Sequence, residues 1–167
     1  MLTLLSLEQV MEGYLKSIYI SPRVLQQALN YFNTGVSHSL TWRFIKPYSN
    51  QLVESVIFPL MSYSKEDEEL WDTDPYEYIR VKFDIFEDFV SPVTAAQTLL
   101  HSMCKKRKNV LPATMGFLMN VLKDPKTNAS QKDGALHMIG RSRLLPKKTL
   151  VIEMGFSLLQ VLWRSSF

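Results

Sequence analysis

Apolar residues recur at helical spacing along most of the chain, and the strict alternation typical of a β-strand is nearly absent. In residues 24–32, Leu25, Ala28 and Leu29 fall on one face of a helix. Similar apolar stripes recur in five further segments: residues 52–61, 78–86, 93–103, 110–122 and 135–139. The pattern predicts an all-α protein.

Three dipeptides mark helix starts, each with a capping residue directly before a proline. They are Ser21-Pro22, Asp74-Pro75 and Ser91-Pro92. Ser and Asp side chains accept hydrogen bonds from the free amides of a first turn, and Pro at the first helical position loses nothing by lacking an N–H. The helix that starts at Pro22 is predicted to end at Asn33-Thr34-Gly35, and a short apolar segment over 36–45 then links it to a helix over 47–62.

Helices of this length with short connections describe stacked antiparallel helix pairs. The pairs recur on the scale of HEAT units, which are about 40–47 residues long. The interpretation is a short α-solenoid of HEAT-like antiparallel helix pairs over residues 1–140. A compact helical bundle has the same periodicity, so the pattern leaves that alternative open.

Charge is distributed unevenly along the chain. Residues 66–88 hold ten of the sixteen acidic side chains against Arg80 and Lys82, whereas residues 105–148 hold eleven basic side chains against two acids. Such an asymmetry indicates distinct surfaces for distinct partners, a self-neutralising fold, or two solvated faces.

Residues 64–74 lack an apolar face and are predicted to form an acidic loop. The candidate protein-binding residues of this loop are Glu66, Asp67, Glu68, Glu69, Trp71, Asp72 and Asp74. An aromatic residue in a charged loop either packs back onto the helices or serves as a contact anchor, and both interpretations of Trp71 stay open.

No pattern of catalytic, cofactor-binding or metal-binding residues occurs. His38, His101 and His137 are far apart, and the sequence contains no phosphate-binding glycine loop and no nucleophile motif. Lone Cys104 excludes an internal disulfide framework; it is either a packing cysteine or a thiol activated by the neighbouring lysines. No stretch of about 18 charge-free apolar residues exists, so no membrane span is expected. The prediction is a protein that is not an enzyme.

The basic run over residues 105–108 has two interpretations. It is either a solvated helix end, where cations suit the negative pole of the helix dipole, or a contact for phosphates or a localisation signal. The run has no interleaved aromatic residues of the kind that stack on single-stranded nucleic acid, so a nucleic-acid partner is disfavoured.

Several segments are similar to one known family. SPRVLQQALNYFNTGVSHSLTW (21–42), IFPLM (57–61), EDEELWDTDPYEYIRVKFDIFEDFVSPVTAAQTLL (66–100) and KDGALHMIG (132–140) resemble the middle of the β-karyopherins of the importin seven and importin eight type. The resemblance covers residues 21–140.

The resemblance implies a HEAT-repeat nuclear transport receptor that imports basic cargo proteins and moves between cytoplasm and nucleus. It also implies binding to the GTPase Ran in its GTP form and to FG nucleoporins, although the N-terminal Ran-binding region of the family has no counterpart here. The acidic segment matches a region where related receptors place acidic loops that touch Ran or basic cargo. The alternatives are a general helical interaction scaffold, a nucleic-acid-binding module on the basic 105–148 half, and a truncated product with no autonomous function.

The resemblance stops after Gly140. Residues 141–167 form a divergent C-terminal tail, interpreted either as a capping helix or as an aberrant end.

Overall fold

The computed structural model describes residues 2–82 and 91–141, and every regular element within those two ranges is helical, which confirms the all-α class. The predicted tail, with residues 142–167, and the apolar positions among residues 83–90 lie outside the described ranges. The elements are α1 (Leu2–Leu15), α2 (Pro22–Ser37), α3 (Ser39–Ile45), a 3₁₀ turn (Lys46–Tyr48), α4 (Ser49–Leu52), a π-helical segment (Val53–Ile57), α5 (Phe58–Met61), α6 (Lys65–Thr73), α7 (Pro75–Lys82), α8 (Pro92–Lys106), α9 (Val110–Lys123) and α10 (Ala129–Arg141).

The three predicted helix starts are confirmed by their capping hydrogen bonds. Ser21 Oγ accepts from the amide of Val24 at 3.4 Å, and Ser91 Oγ accepts from the amide of Val93 at 3.2 Å. Asp74 Oδ1 accepts from two amides in the first turn of α7, at 3.1 and 3.0 Å. Local sequence therefore determines where α2, α7 and α8 begin.

Helix α2 does not end where the sequence predicted. It continues past Gly35 to Ser37, and most of the segment expected to link it onward is helix α3. Gly35 is buried, and a Cβ there would lie 3.0 Å from the Ile45 and Thr41 side chains of α3. The glycine therefore allows α3 to approach α2 closely, and it does not terminate the helix.

The helix predicted over residues 47–62 is present, but its middle is widened into the π-helical segment. Pro59 has no N–H to donate to the carbonyl of Ser55, and its ring would crowd that carbonyl in a regular α-helix. The wider π turn directly before Pro59 removes this conflict without ending the helix.

Helices α2 and α8 lie side by side and run in the same direction, and this is the most extensive helix contact within the described ranges. Their C-terminal ends meet where Lys106 Nζ donates to Ser37 Oγ at 2.5 Å. The stretch from α4 to α5 runs beside α9, joined by an edge-to-face contact of Phe58 with Phe117 at 5.1 Å. The result is two stacked helix pairs, a HEAT-like arrangement. Its largest fully buried side chains are Leu29, Val36, Val56, Ile57, Leu99, Met103, Leu118 and Met138.

Helix α10 covers the C-terminal end of α5. Ser130 Oγ donates to the Tyr63 carbonyl at 2.5 Å, and His137 Nδ1 lies 3.3 Å from the Met61 carbonyl oxygen. The last carbonyls of a helix have no partner within the helix, so side chains of α10 occupy positions that water would otherwise fill.

Arg107, directly after α8, joins the ends of three elements. Its Nε and Nη2 donate to the Val36 carbonyl at 3.0 and 2.5 Å, and Nη2 also donates to the His38 carbonyl at 3.3 Å. The guanidinium carbon lies 5.0 Å from the ring centroid of Trp42 on α3. The basic run is therefore not uniformly solvated, because Arg107 closes the C-terminus of α2.

Replacing Arg107 with Met is expected to destabilise the fold by about 2–4 kcal/mol, because charge-assisted hydrogen bonds to two carbonyls and a cation–π contact are lost together. The measurement is urea unfolding followed by circular dichroism. Lys105→Met, at an exposed neighbouring position, is the matched control and should change stability by less than about 0.5 kcal/mol. Equal effects of the two substitutions would contradict the structural role of Arg107.

Gly134 on α10 is expected to reject even a methyl group. An alanine Cβ would lie 3.0 Å from the Ser62 Cα and closer still to its hydroxyl, so Gly134→Ala should destabilise the fold by about 1–3 kcal/mol. Gly116→Ala on α9 meets nothing within 4 Å and should stabilise the fold by about 0.5–1 kcal/mol through helix propensity. Thermal unfolding of both variants checks the opposite signs.

Candidate functional site

The acidic segment predicted as a loop is helical, which corrects the sequence interpretation. Ser64 caps α6: its Oγ accepts from the Asp67 amide at 3.2 Å, while the Ser64 amide donates to Asp67 Oδ2 at 2.9 Å. This reciprocal capping box satisfies two amides, and the acidic first turn suits the positive pole of the helix dipole. The spacing of Ser64 and Asp67 is the sequence signal that could have identified the helix.

Helices α6 and α7 form a hairpin that packs mainly on itself. Asp74 connects them, since its amide donates to the Leu70 carbonyl at 2.8 Å and its carboxylate caps α7. Trp71 and Tyr78 meet edge to face at 5.3 Å. Contacts of α6 and α7 with the other described helices are sparse. Residues 64–82 are called the acidic hairpin below.

Three carboxylates of the acidic hairpin are engaged in its own structure. Asp67 and Asp74 act as helix caps, and Glu77 binds Arg80 through two hydrogen bonds at 2.7 and 2.5 Å. The hydrogen bond from Arg80 holds the pKa of Glu77 below its usual range. These groups stabilise the hairpin, and the charge of Glu77 is balanced by that of Arg80.

Four other carboxylates lie exposed on α6: Glu66, Glu68, Glu69 and Asp72. Hydrogen bonds from its own backbone amide and from Ser64 lower the pKa of Glu66. Within the described ranges, no lysine or arginine lies at ion-pair distance from Glu68, Glu69 or Asp72. The structure therefore brings all the predicted acidic residues together but divides them into caps and solvent-facing charges.

Trp71 satisfies part of each interpretation left open by the sequence. Its ring packs against Tyr78, yet 49% of the residue is exposed on the helix that carries Glu68, Glu69 and Asp72. An exposed indole next to carboxylates can stack with an arginine or lysine side chain.

A second charged surface includes the predicted basic run together with a lysine that lies about 60 positions earlier in the sequence and was not predicted to join it. Lys46 from the 3₁₀ turn faces Lys106, Arg107 and Lys108 across a cleft of about 540 Å³, with Trp42 in its wall. We call this the basic cleft. Only the folded chain brings Lys46 to the predicted basic run.

Cys104, the candidate nucleophile of the sequence, lies in an environment that opposes reactivity. Cys104 is buried, which raises the pKa of its thiol to about 11, while a hydrogen bond with Thr114 acts in the opposite direction. The packing interpretation of Cys104 is thus supported over the activated thiolate.

In the described part of the chain no group of three or more potential ligand side chains is placed to hold a metal ion. Nor does any helix in that part combine the length and apolarity needed to cross a membrane.

Comparison with known proteins agrees with this architecture. The Cse1 family model matches residues 24–158, so the match extends beyond Gly140 into residues outside the described ranges. Human importin-8 is 55% identical over 143 residues, which cover 85% of this chain and 14% of that protein. An importin beta-like SAD2 homolog of Arabidopsis thaliana is 33% identical over 129 residues (73% of this chain, 12% of that protein). A probable importin-7 homolog of Dictyostelium discoideum is 29% identical over 125 residues (70% and 12%). No solved structure matches the chain.

Fold and comparisons together define a HEAT-like helical-repeat protein. The chain belongs to the importin-β family and matches the Cse1 segment of that family, which confirms the resemblance seen in the sequence. Members of the family are transport receptors and not enzymes, which confirms the non-enzymatic interpretation. The chain spans about a seventh of the length of importin-8.

Because Cys104 is buried, we expect its thiol to react slowly with alkylating reagents. Its pKa is raised from an ordinary 9.0 to about 11, so at pH 8 the folded protein holds about a hundredfold less thiolate than the unfolded chain. Alkylation by iodoacetamide should be slower by at least that factor in native buffer than in denaturing urea. Because the fold favours the neutral thiol, the contribution of Cys104 to stability is present below pH 9 and is lost as pH rises through about 11. Equal alkylation rates in both states would contradict the burial.

Proposed function

We propose that the protein acts as a non-enzymatic nuclear transport receptor of the importin type, binding basic cargo proteins and moving with them between cytoplasm and nucleus. Membership of the importin-β family and the stacked helix pairs support this proposal. The chain spans only 14% of importin-8. The transport activity of these longer relatives is therefore assigned to this chain as a proposal.

The observation that carries the cargo assignment is the exposed face of α6. Glu68, Glu69 and Asp72 are exposed and have no ion-pair partner in the described ranges, while the neighbouring caps Asp67 and Asp74 keep the helix in place. A preformed helix that presents uncompensated negative charge attracts lysine- and arginine-rich segments over several ångströms before contact.

Trp71 adds an apolar contact to this charged surface. Its exposed half lies beside the free carboxylates, so one cargo side chain can be held both by a carboxylate and by the indole ring. Exposed charge pairs are screened by salt, so affinity for basic cargo should fall as ionic strength rises.

Contact with FG nucleoporins would fall on a different surface. An apolar cleft of about 380 Å³ lies between α1, α3 and α4, and Leu15, Phe44 and Tyr48 are among its lining residues. Phe44 is 65% exposed at this site. The cleft supports insertion of a phenylalanine side chain, and Ran binding is carried into the proposal by family membership alone.

A general helical scaffold without a transport role is the second candidate, and the same exposed surfaces favour it. Release of cargo on addition of Ran in its GTP form would favour the transport receptor over the scaffold. Retention of the partner does not separate the two functions, since no segment of the sequence resembles the N-terminal Ran-binding region of the family.

The neutral variant Glu68→Gln/Glu69→Gln/Asp72→Asn is expected to bind a lysine- and arginine-rich peptide about tenfold more weakly, because three exposed charge contacts are lost. Fluorescence anisotropy with the labelled peptide at low salt measures the change. The capping residues Asp67 and Asp74 are left intact so that α6 still forms.

The matched control removes the same number of charges elsewhere, in Glu12→Gln/Glu54→Gln/Asp133→Asn. It should change the affinity by less than about twofold, since none of these side chains belongs to the acidic hairpin and exposed charges outside a contact are screened. Equal losses in the two variants, or no loss in either, would refute the acidic hairpin as the cargo surface.

A further inference from the structure

The basic cleft has the composition of an anion-binding surface. Among the residues that the structure describes, its lining contains Lys46, Lys106, Arg107 and Lys108 and no Asp or Glu side chain. The other described lining residues are polar, apolar or aromatic: Ser49, Asn50, Asn109, Val110, Ala113 and Trp42. Four cations without a carboxylate produce a positive potential that the cleft walls concentrate.

The cleft is held in shape before any ligand binds. The Arg107 guanidinium is fixed by the carbonyls of Val36 and His38 and by the Trp42 ring. Ser49 is buried and donates to the Lys46 carbonyl at 2.8 Å, which anchors the backbone that carries Lys46. A site whose floor is already ordered loses less entropy when a ligand binds.

Helix α9 adds to the positive potential. It begins at Val110 on the cleft wall, and Asn109 makes no side-chain capping hydrogen bond to it. The positive end of this 14-residue helix therefore faces the cleft, and its first turn contains no acidic residue.

The aromatic content of the cleft distinguishes between classes of polyanion. Trp42 is the one aromatic residue among the described lining residues, and the Arg107 guanidinium lies over its ring. Single-stranded nucleic acid binds by stacking successive bases on several aromatic rings, whereas the described lining offers one ring, already in contact with Arg107. Three exposed lysines line the same cleft, so they can pair with closely spaced carboxylates on a short peptide.

We propose that the basic cleft binds an acidic peptide segment of a partner protein, with Lys46, Lys106 and Lys108 as its charge contacts. This surface is separate from the acidic hairpin and its cargo, so the chain would hold partners of opposite charge on two different surfaces.

The test uses the full chain and a fluorescein-labelled peptide of alternating Glu and Gly, with a Gln–Gly peptide as the uncharged probe. The variant Lys46→Gln/Lys106→Gln/Lys108→Gln should bind the acidic peptide about tenfold more weakly than the unaltered protein. Arg107 is left in place because it supports the fold, and Lys106→Gln keeps a side-chain donor for the contact with Ser37. Circular dichroism verifies that the variant remains helical.

The matched control, Lys123→Gln/Lys126→Gln/Lys132→Gln, removes the same charge outside the cleft and should change the affinity by less than about twofold. Equal weakening in both variants would show nonspecific attraction and overturn the proposal. Tighter binding of a labelled oligothymidine than of the acidic peptide, lost in the cleft variant, would assign the cleft to nucleic acid instead. Self-association abolished by the cleft variant, without peptide binding, would assign it to the acidic hairpin of a second copy.

Discussion

Helix α8 must bury apolar residues on more than one side, and the arrangement of its neighbours follows from that constraint. Ala95, Ala96, Leu99, Leu100, Met103 and Cys104 are all buried. Such a broad apolar face cannot be covered by one partner helix, so α2 packs on one side while α5, the π-helical segment and α9 pack on the other. Small side chains such as Ala28 on α2 and the alanines of α8 suit the close approach of the two parallel helices.

Parallel packing of α2 and α8 brings together two helix ends of the same sign. The partial negative charges of both C-termini would otherwise face each other, and Lys106 and Arg107 lie where they compensate them. Arg107 also sets the relative position of the two helices, because its planar fork reaches the Val36 and His38 carbonyls while its face covers Trp42. The residues that close the fold at this end thereby create the positive potential of the basic cleft.

The same geometry separates the two charged surfaces. The acidic hairpin follows the C-terminal end of α5, whereas the basic cleft lies at the start of α4. The helical stretch from Ser49 to Met61 lies between them and spans about 20 Å at 1.5 Å per residue. That distance exceeds the screening length of physiological salt, so partners of opposite charge can occupy the two surfaces without neutralising each other. The asymmetry along the sequence thus becomes a separation in space, which favours distinct partner surfaces over a self-neutralising fold.

The amino-acid sequence alone determined the helical class, the starts of α2, α7 and α8, and the family. These depend on periodicity, on capping by Ser21, Asp74 and Ser91, and on contiguous motifs, all of which are local. The sequence also identified the acidic residues, but the prediction of a loop over residues 64–74 was wrong. Helix α6 has no apolar stripe, and its start is determined by the capping box of Ser64 and Asp67.

Tertiary structure alone decided which charged groups remain available to a partner. Arg107 and Lys106 belong to one basic run in the sequence, yet their contacts lie on α2, about 70 positions away. Lys46 joins the same cleft only when α4 and α9 pack side by side. In the sequence, Gly35 looks like a helix breaker and Gly134 like a neutral position. The folded structure shows that each glycine allows a neighbouring segment to approach closely. Such pairings depend on contacts between residues far apart in the sequence, which local helix propensity does not predict.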